Sequence, residues 1–413
     1  MHTYHSPLDL VRERSPERPV ALVRQGALAV AARWFRNNFS GDVLYAVKAN
    51  PSPWAIRALA AEGVTAFDVA SIPEIELIAA QAPGARLAFM HPVKSRAAIT
   101  HAYFDHRVRT FALDSHEELG KIGEATGGAG DLNLIVRLAV ETAGAAYPLT
   151  GKFGVSVDEA PSLLLAARRA TDAAMGVSFH VGSQCMRPSA YQAAMAQASR
   201  VLVRAGVFAD VVNVGGGFPS VYPGLVPPDL SEYVAAIDRG FADMMVHEAT
   251  ELWCEPGRAL VAESASLLAR VELRRGDALY LNDGAYGSLF DAAHAKWPFP
   301  AKLVRAQGDA SATLKPFRFF GPTCDSADHM PGPFWLPEDA REGDYVEIGM
   351  MGAYGVAMAT RFNGFGEVET AAVDDAPMAS LFGLAPRSIP TPRADGETVV
   401  GLSRPRGKKR RRR

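Results

Sequence analysis

The feature that most constrains this chain is a rhythm of short apolar runs. They begin near Val43, Thr65, Leu87, Thr110, Leu132, Met175, Val211 and Leu252. The first five recur every twenty to twenty-three residues, with helical periodicity between them. Several helix starts carry a hydroxyl followed three residues later by Glu or Gln, the pattern of a capping box. These are Ser71 with Glu74, Ser115 with Glu118, Ser156 with Glu159, and Ser189 with Gln192. Strands alternating with helices imply a parallel sheet. Eight such units point to a closed (β/α)8 barrel rather than an open doubly wound sheet.

Beyond Arg258 the helical period fades. Residues 264–275, 278–284, 313–320 and 344–354 read as strands separated by Gly, Pro and Asp. The expected division is therefore an N-terminal segment over 1–30 that joins the β domain, a barrel over 31–260, an all-β domain over 261–372, and a tail over 373–413. The place of the barrel's last helix is left open. The tail is rich in Pro, Ala, Gly and Arg and is expected to be disordered.

Charge is split along the chain. Eight cations lie between Arg404 and Arg413, and the formal charge of −2 becomes −10 once those eight are set aside. An acidic body favours cationic ligands over nucleic acid, which leaves nonspecific nucleic-acid contact to the basic tail alone. Cys185, Cys254 and Cys324 show neither metal-ligand nor redox spacing, so no metal is expected and a reducing, cytoplasmic setting is. No stretch approaches the roughly 18 apolar residues that span a bilayer.

Polar and glycine residues stand where each strand ends, and in a barrel that rim holds the active site. The first strand leads into Tyr45-Ala46-Val47-Lys48-Ala49-Asn50 and the second into Asp68-Val69-Ala70-Ser71. The third and fourth give His91-Pro92 and Asp114-Ser115. Arg137 ends the fifth, and His180-Val181-Gly182-Ser183 the sixth. Gly215-Gly216-Gly217 ends the seventh, and Glu255-Pro256-Gly257-Arg258 the eighth. A lysine at the end of a buried strand either reaches solvent or has its charge used, for instance as an imine to a carbonyl cofactor. Three glycines serve equally as a tight turn or as an amide cradle for phosphate. With Ser183 and Arg258 beside them the second use gains donors and charge. An amine for an imine and a cradle for a phosphate suit pyridoxal 5'-phosphate. His180 would then cover the ring, and Glu255 would hold the pyridine nitrogen protonated. A simpler role for Glu255 is an ion pair with Arg258. In the β domain, Cys324-Asp325 follows a Gly-Pro turn, and Tyr354 follows a glycine-rich bend from which its hydroxyl could reach a phosphate.

These blocks, in this order, resemble the pyridoxal-phosphate decarboxylases of the alanine-racemase-like fold, which act on ornithine, arginine and diaminopimelate. The resemblance rests on YAVKAN, FDVAS, KFGVS, GVSFHVGSQ, VGGGFP, EPGR, NDGAYGSLFD, GPTCDSAD and MGAYGVAMATRFNGF, and covers about residues 43–366. It implies that Lys48 carries the cofactor, His180 stacks on it, and Glu255 pairs with its ring nitrogen. Ser183, Gly217, Arg258 and Tyr354 would hold the phosphate, with Gly215, Gly216, Gly257, Asp68 and Arg137 also at the cofactor. Cys324 would return a proton to Cα, delivered across the interface of a homodimer with shared sites. Phe290, Asp291 and Asp325 would bind a small cationic amino acid, the two carboxylates receiving its distal ammonium. That favours ornithine, giving putrescine, with lysine to cadaverine as a second reaction. Diaminopimelate relatives typically read Cys-Glu-Ser where this chain has Cys324-Asp325-Ser326, and the segment before Asp291 is shorter than in animal ornithine enzymes, which puts the reach of Asp291 in question. A racemase on this fold is disfavoured by Glu255 and Cys324. A catalytically inactive regulatory homologue is the non-enzyme alternative, although every chemical position is filled.

Overall fold

The computed structural model describes residues 2–141, 144–149, 151–295 and 297–387, with the backbone of 391–392 and 398–399. The tail expected to be disordered is ordered over 373–387, where Val373 ends a strand, Asp375 pairs with Arg24 and the Leu381 amide donates to Glu263; most of its remainder lies outside the described residues. Eight parallel strands close into a barrel. In order they are Asp42–Ala46, Ala66–Val69, Arg86–Phe89, Thr110–Leu113, Asn133–Arg137, Met175–Ser178, Val211–Asn213 and Glu251–Cys254. The eighth returns to the first through Trp253 beside Asp42 and Cys254 beside Val43.

Successive side chains on a strand face opposite sides. Tyr45, Phe67, Phe89 and Phe111 face outward and pack with the helices in the main core. Leu44, Ala66, Ala88, Ala112, Ile135, Val211 and Trp253 face inward and form a core of their own. Three alanines leave room for one indole, so Trp253 plugs the barrel. Arg86 lies 4.6 Å from the Trp253 ring and pairs with Asp42 at 2.7 Å, closing the end where the strands begin. The barrel's remaining helix is Gln25–Asn38, ahead of the first strand. It packs on Pro53–Ala61 and on Arg258–Val261, the four-residue helix that follows the eighth strand.

The helix starts differ from the expected boxes. Ser156 and Glu159 bond reciprocally just ahead of helix Ala160–Arg169. Ser115 caps the helix His116–Ala125 through the Glu118 amide, but the Glu118 carboxylate turns to the buried Lys94 at 2.9 Å. Glu74 reaches the Ala70 amide while the Ser71 hydroxyl makes no cap bond. The Ser189 box does not form. Pro188, helical at φ −52° and ψ −38°, takes the cap position and puts Ser189 inside the helix.

The second unit is a nine-stranded sheet with Ala265–Arg275 at its centre. This long strand pairs antiparallel with Val20–Val23 on one side and Tyr345–Ile348 on the other. Its far half pairs with Ala278–Leu281, which leads to Leu314–Phe320 and His329–Pro337. Val20–Val23 is itself interior, because Glu369–Val373 runs parallel along its other edge. Ala301–Val304 and His329–Pro337 are strands the sequence did not announce. The expected strand over 344–354 stops at Ile348, where the chain turns towards the barrel. Among the described residues no helix is long and apolar enough to cross a membrane.

Buried charges tie the chain's start to this sheet. Arg24 donates to Ser266 Oγ and Glu347 Oε1, both at 2.8 Å, and pairs with Asp375. Arg24 and Glu347 are 4% and 1% exposed, so neither has water as an alternative partner. Truncating Arg24 to Ala is expected to cost about 3–5 kcal/mol, because the buried Glu347 is left with only the Ser266 hydroxyl at 2.7 Å and the largely exposed Lys302 at 3.8 Å. Urea unfolding measures this as a lower midpoint at unchanged slope.

Glu263 gives a pH signature. It is buried where the two units join and accepts from the Leu381 amide at 2.7 Å. Burial pushes its pKa from 4.5 up to about 7, against the bonds from Ser380 and Leu381. The folded chain therefore holds a proton that the unfolded chain has lost between these values. The associated stability is complete below about pH 4.5 and disappears as pH rises through about 7. Glu263→Gln should flatten this part of the stability–pH curve, measured by urea unfolding from pH 5 to 8.

Candidate active site

The inward register of the strands continues into the mouth of the barrel. Two residues past Ala46 comes Lys48, in the short turn Val47–Ala49. Two past Ala66 comes Asp68, two past Ile135 comes Arg137, and two past Trp253 comes Glu255. All four line a cavity of about 430 Å³.

Lys48 Nζ lies 3.2 Å from Asp68 Oδ2. The carboxylate of Asp68 is the main reason the ammonium pKa is raised, and Tyr354 and Glu255 add to it. Glu255 accepts from Asn213 Nδ2 at 2.6 Å, and Asn213 Oδ1 accepts in turn from the Gly215 amide at 2.8 Å. Burial pushes the Glu255 carboxyl up, Asp68 pushes it further, and Lys48 opposes both. His180 is half-buried in this wall. Its Nδ1 accepts from the Gly182 amide at 2.9 Å, which leaves the ring hydrogen on Nε2. Burial first, then Lys48 and Arg137, push its pKa down to about 3, so the imidazole is neutral.

The rest of the lining suits an anion. Gly216, Gly217, Ser183, Gly257, Arg258 and Tyr354 all border the cavity. Gly217 has φ +102°, and a Cβ there would sit 2.5 Å from the Gly182 carbonyl oxygen. The Arg258 guanidinium donates to Tyr222 Oη at 2.8 Å and to Asp291 Oδ2 at 2.7 Å, with the Tyr354 ring 4.9 Å away. Its Nε is buried without a partner, so one donor is unspent. The ion pair between Glu255 and Arg258 offered as the simpler reading is not made: Glu255 bonds Asn213 and Arg258 bonds Asp291.

The second unit contributes through one turn. The Tyr354 amide donates to Ala49 O at 2.8 Å, and Asn50 Nδ2 donates to Gly352 O at 2.9 Å. A Cβ on Gly352 would lie 1.7 Å from Val261 O, so this approach requires glycine. The contact fixes Tyr354, at φ +57°, beside the lysine turn.

Other expected residues stand apart from the cavity. Gly215 lies below it, its carbonyl accepting from the Glu255 amide at 2.8 Å. Phe290 stacks on His294 at 4.2 Å. Asp291 is engaged by Arg258. Cys324 is exposed, with its Sγ 3.2 Å from Asn363 Oδ1, and Asp325 accepts from Tyr286 Oη at 2.7 Å. Two residues of the site were missed in the sequence. Asn213 could have been found, as a lone amide on the inward face of an apolar strand. Tyr222 lies in an irregular loop with no periodicity to mark it.

Comparison with known proteins follows the same lines. Residues 26–262 match the family described as pyridoxal-dependent decarboxylase, pyridoxal binding domain. The lysine/ornithine decarboxylase of Selenomonas ruminantium is 35% identical over 347 residues, covering 81% of this chain and 84% of that one. The ornithine decarboxylase of Caenorhabditis elegans is 33% identical over 359 residues, covering 80% and 81%. The crystal structure of the lysine/ornithine decarboxylase of Vibrio vulnificus complexed with putrescine superposes with a TM-score of 0.76 at 29% identity. It covers 90% of this chain and 99% of that one.

The cavity fits pyridoxal phosphate on its own terms. It offers an amine, a flat neutral ring, a buried acid, an unspent guanidinium donor and a glycine wall that admits no side chain. Gly217→Ala forces a shift against backbone, at a cost of about 1–3 kcal/mol. Titration of the apoprotein with pyridoxal phosphate, followed by its absorbance, should show about tenfold weaker uptake, alongside an unfolding midpoint lowered by that strain.

Proposed function

The chain belongs to the pyridoxal-dependent decarboxylase family, as a basic amino-acid decarboxylase of its ornithine/lysine branch, and from that premise we propose that L-ornithine is its substrate, released as putrescine and carbon dioxide. L-Lysine, giving cadaverine, is the second substrate. The observation that carries the chemistry is Glu255, a buried acid held by Asn213 in the same cavity wall as Lys48. Bound pyridoxal phosphate supplies an electron sink for the pair left on Cα when carbon dioxide departs. Glu255 holds a proton at the ring nitrogen and so keeps that sink strong. Lys48 provides the amine that holds the cofactor's aldehyde, and His180 lies against the ring as an uncharged face. Gly216, Gly217, Ser183, Arg258 and Tyr354 bind the phosphate.

Substrate choice follows from where the acids are spent. Asp291 gives its charge to Arg258, which leaves Asp325 to receive the distal ammonium. Asp325 and Cys324 are exposed on a loop outside the cavity lining of one chain. A homodimer in which each copy lends this loop to the other's cavity completes both sites. Cys324 Sγ then gives a proton to Cα. With one carboxylate rather than two at the far end, discrimination against one extra methylene is limited to about 1–3 kcal/mol. Relatives named for both lysine and ornithine are consistent with such a pocket.

The test is carbon dioxide release by purified holoenzyme from ornithine, lysine, arginine and diaminopimelate. Ornithine should be fastest and lysine next, within about a hundredfold in kcat/KM. Best activity on diaminopimelate would overturn the substrate assignment. No release from any of the four would support a non-catalytic homologue. Lys48→Ala and Cys324→Ala should each be inactive, and mixing them should restore activity through the one intact site of the mixed dimer.

A further inference from the structure

Helix Ile72–Gln81 and helix Arg96–Phe104 lie side by side on the outer wall of the barrel, away from the cavity. Glu76 projects from the first and His101 from the last turn of the second. After Phe104 the chain folds back over the helix end. The amides of Asp105 and His106 both donate to the His101 carbonyl, and Arg107 adopts φ +57°. The turn brings the His106 ring beside His101, with centroids 4.8 Å apart. Their Nε2 atoms are 3.2 Å from each other, and Glu76 Oε1 is 3.6 Å from His101 Nε2.

We propose that Glu76, His101 and His106 form a Zn2+ site that clasps these two helices. One ligand atom from each lies within 4.8 Å of the other two. Two nitrogens 3.2 Å apart, each about 2.05 Å from a common zinc, subtend about 100°, close to the tetrahedral angle. The donor set, two imidazoles and one carboxylate, suits zinc rather than magnesium or calcium. His101 is also set up for it. Its Nδ1 lies 2.6 Å from Asp105 Oδ2, which holds the proton on Nδ1 and turns the Nε2 lone pair towards His106 and Glu76. Without a metal, a single N–H···N bond between the histidines accounts for their approach, but Glu76 then lies beyond hydrogen-bond range. A dication engages all three. The partly exposed setting leaves the fourth position to water. The site has no part in decarboxylation. A metal bound only by the folded chain stabilises the helix pair by mass action.

The test uses chelator-treated, desalted holoenzyme titrated with Zn2+ against a chromophoric indicator, comparing the wild-type chain with His106→Ala. The exposed Cys324 is common to both and cancels. The wild-type chain should bind one equivalent per chain more than the variant, and Zn2+ should raise its unfolding temperature but not the variant's. Co2+ should give the visible bands of four-coordinate cobalt in the wild-type chain and not in His101→Ala. Equal Zn2+ uptake by wild type and His106→Ala, or cobalt bands unchanged in His101→Ala, would overturn the proposal.

Discussion

Two carboxylates buried in the mouth of the barrel, Asp68 and Glu255, face the cations Lys48 and Arg137, and the rest of the site is arranged around how unequally the two acids are neutralised. A buried acid is stable only when paired, hydrogen-bonded or protonated. Asp68 takes Lys48 directly at 3.2 Å. Glu255 is left with an amide, Asn213, and with a raised affinity for a proton. The acid that is poorly neutralised by the protein is thus the one with charge or a proton left to offer a ligand in the cavity. His180 answers the same field differently: half-buried and flanked by Lys48 and Arg137, it stays neutral.

The lysine depends on both structural units for its position. The barrel supplies its strand, and the sheet supplies the turn whose Tyr354 amide and Gly352 carbonyl bond to Ala49 and Asn50. Because these contacts fall on the residues that follow Lys48, a shift of one unit against the other moves the amine. The same turn brings the Tyr354 ring to Arg258, so the amine and the guanidinium are located by one short stretch of chain.

The eight barrel strands were legible because each is an apolar run bounded by breakers, and period-two alternation carries that reading inward to Lys48, Asp68, Arg137 and Glu255. The resemblance in the motifs supplied the family. What was not legible arises from contacts between distant segments. Val20–Val23 carries no distinguishing pattern in sequence because both its neighbours in the sheet lie more than two hundred residues away. Tyr222 was hidden for a related reason, since its loop takes its shape from Arg258 and the aromatic side chains of Trp297 and Phe299. Ser189 failed as a cap because the proline before it was already helical. The engagement of Asp291 by Arg258 required knowing that two segments thirty-three residues apart meet.

The interior position of Val20–Val23 bears on how the chain emerges from the ribosome. One edge of this strand is satisfied once residue 268 has been made, but the other waits for residues 369–372. At a synthesis rate of about 5–20 residues per second, that second edge stays open for roughly 5–20 seconds. During this interval the nascent protein carries a complete barrel beside an unpaired β edge, the kind of surface that recruits chaperones or a neighbouring polypeptide on the same polysome.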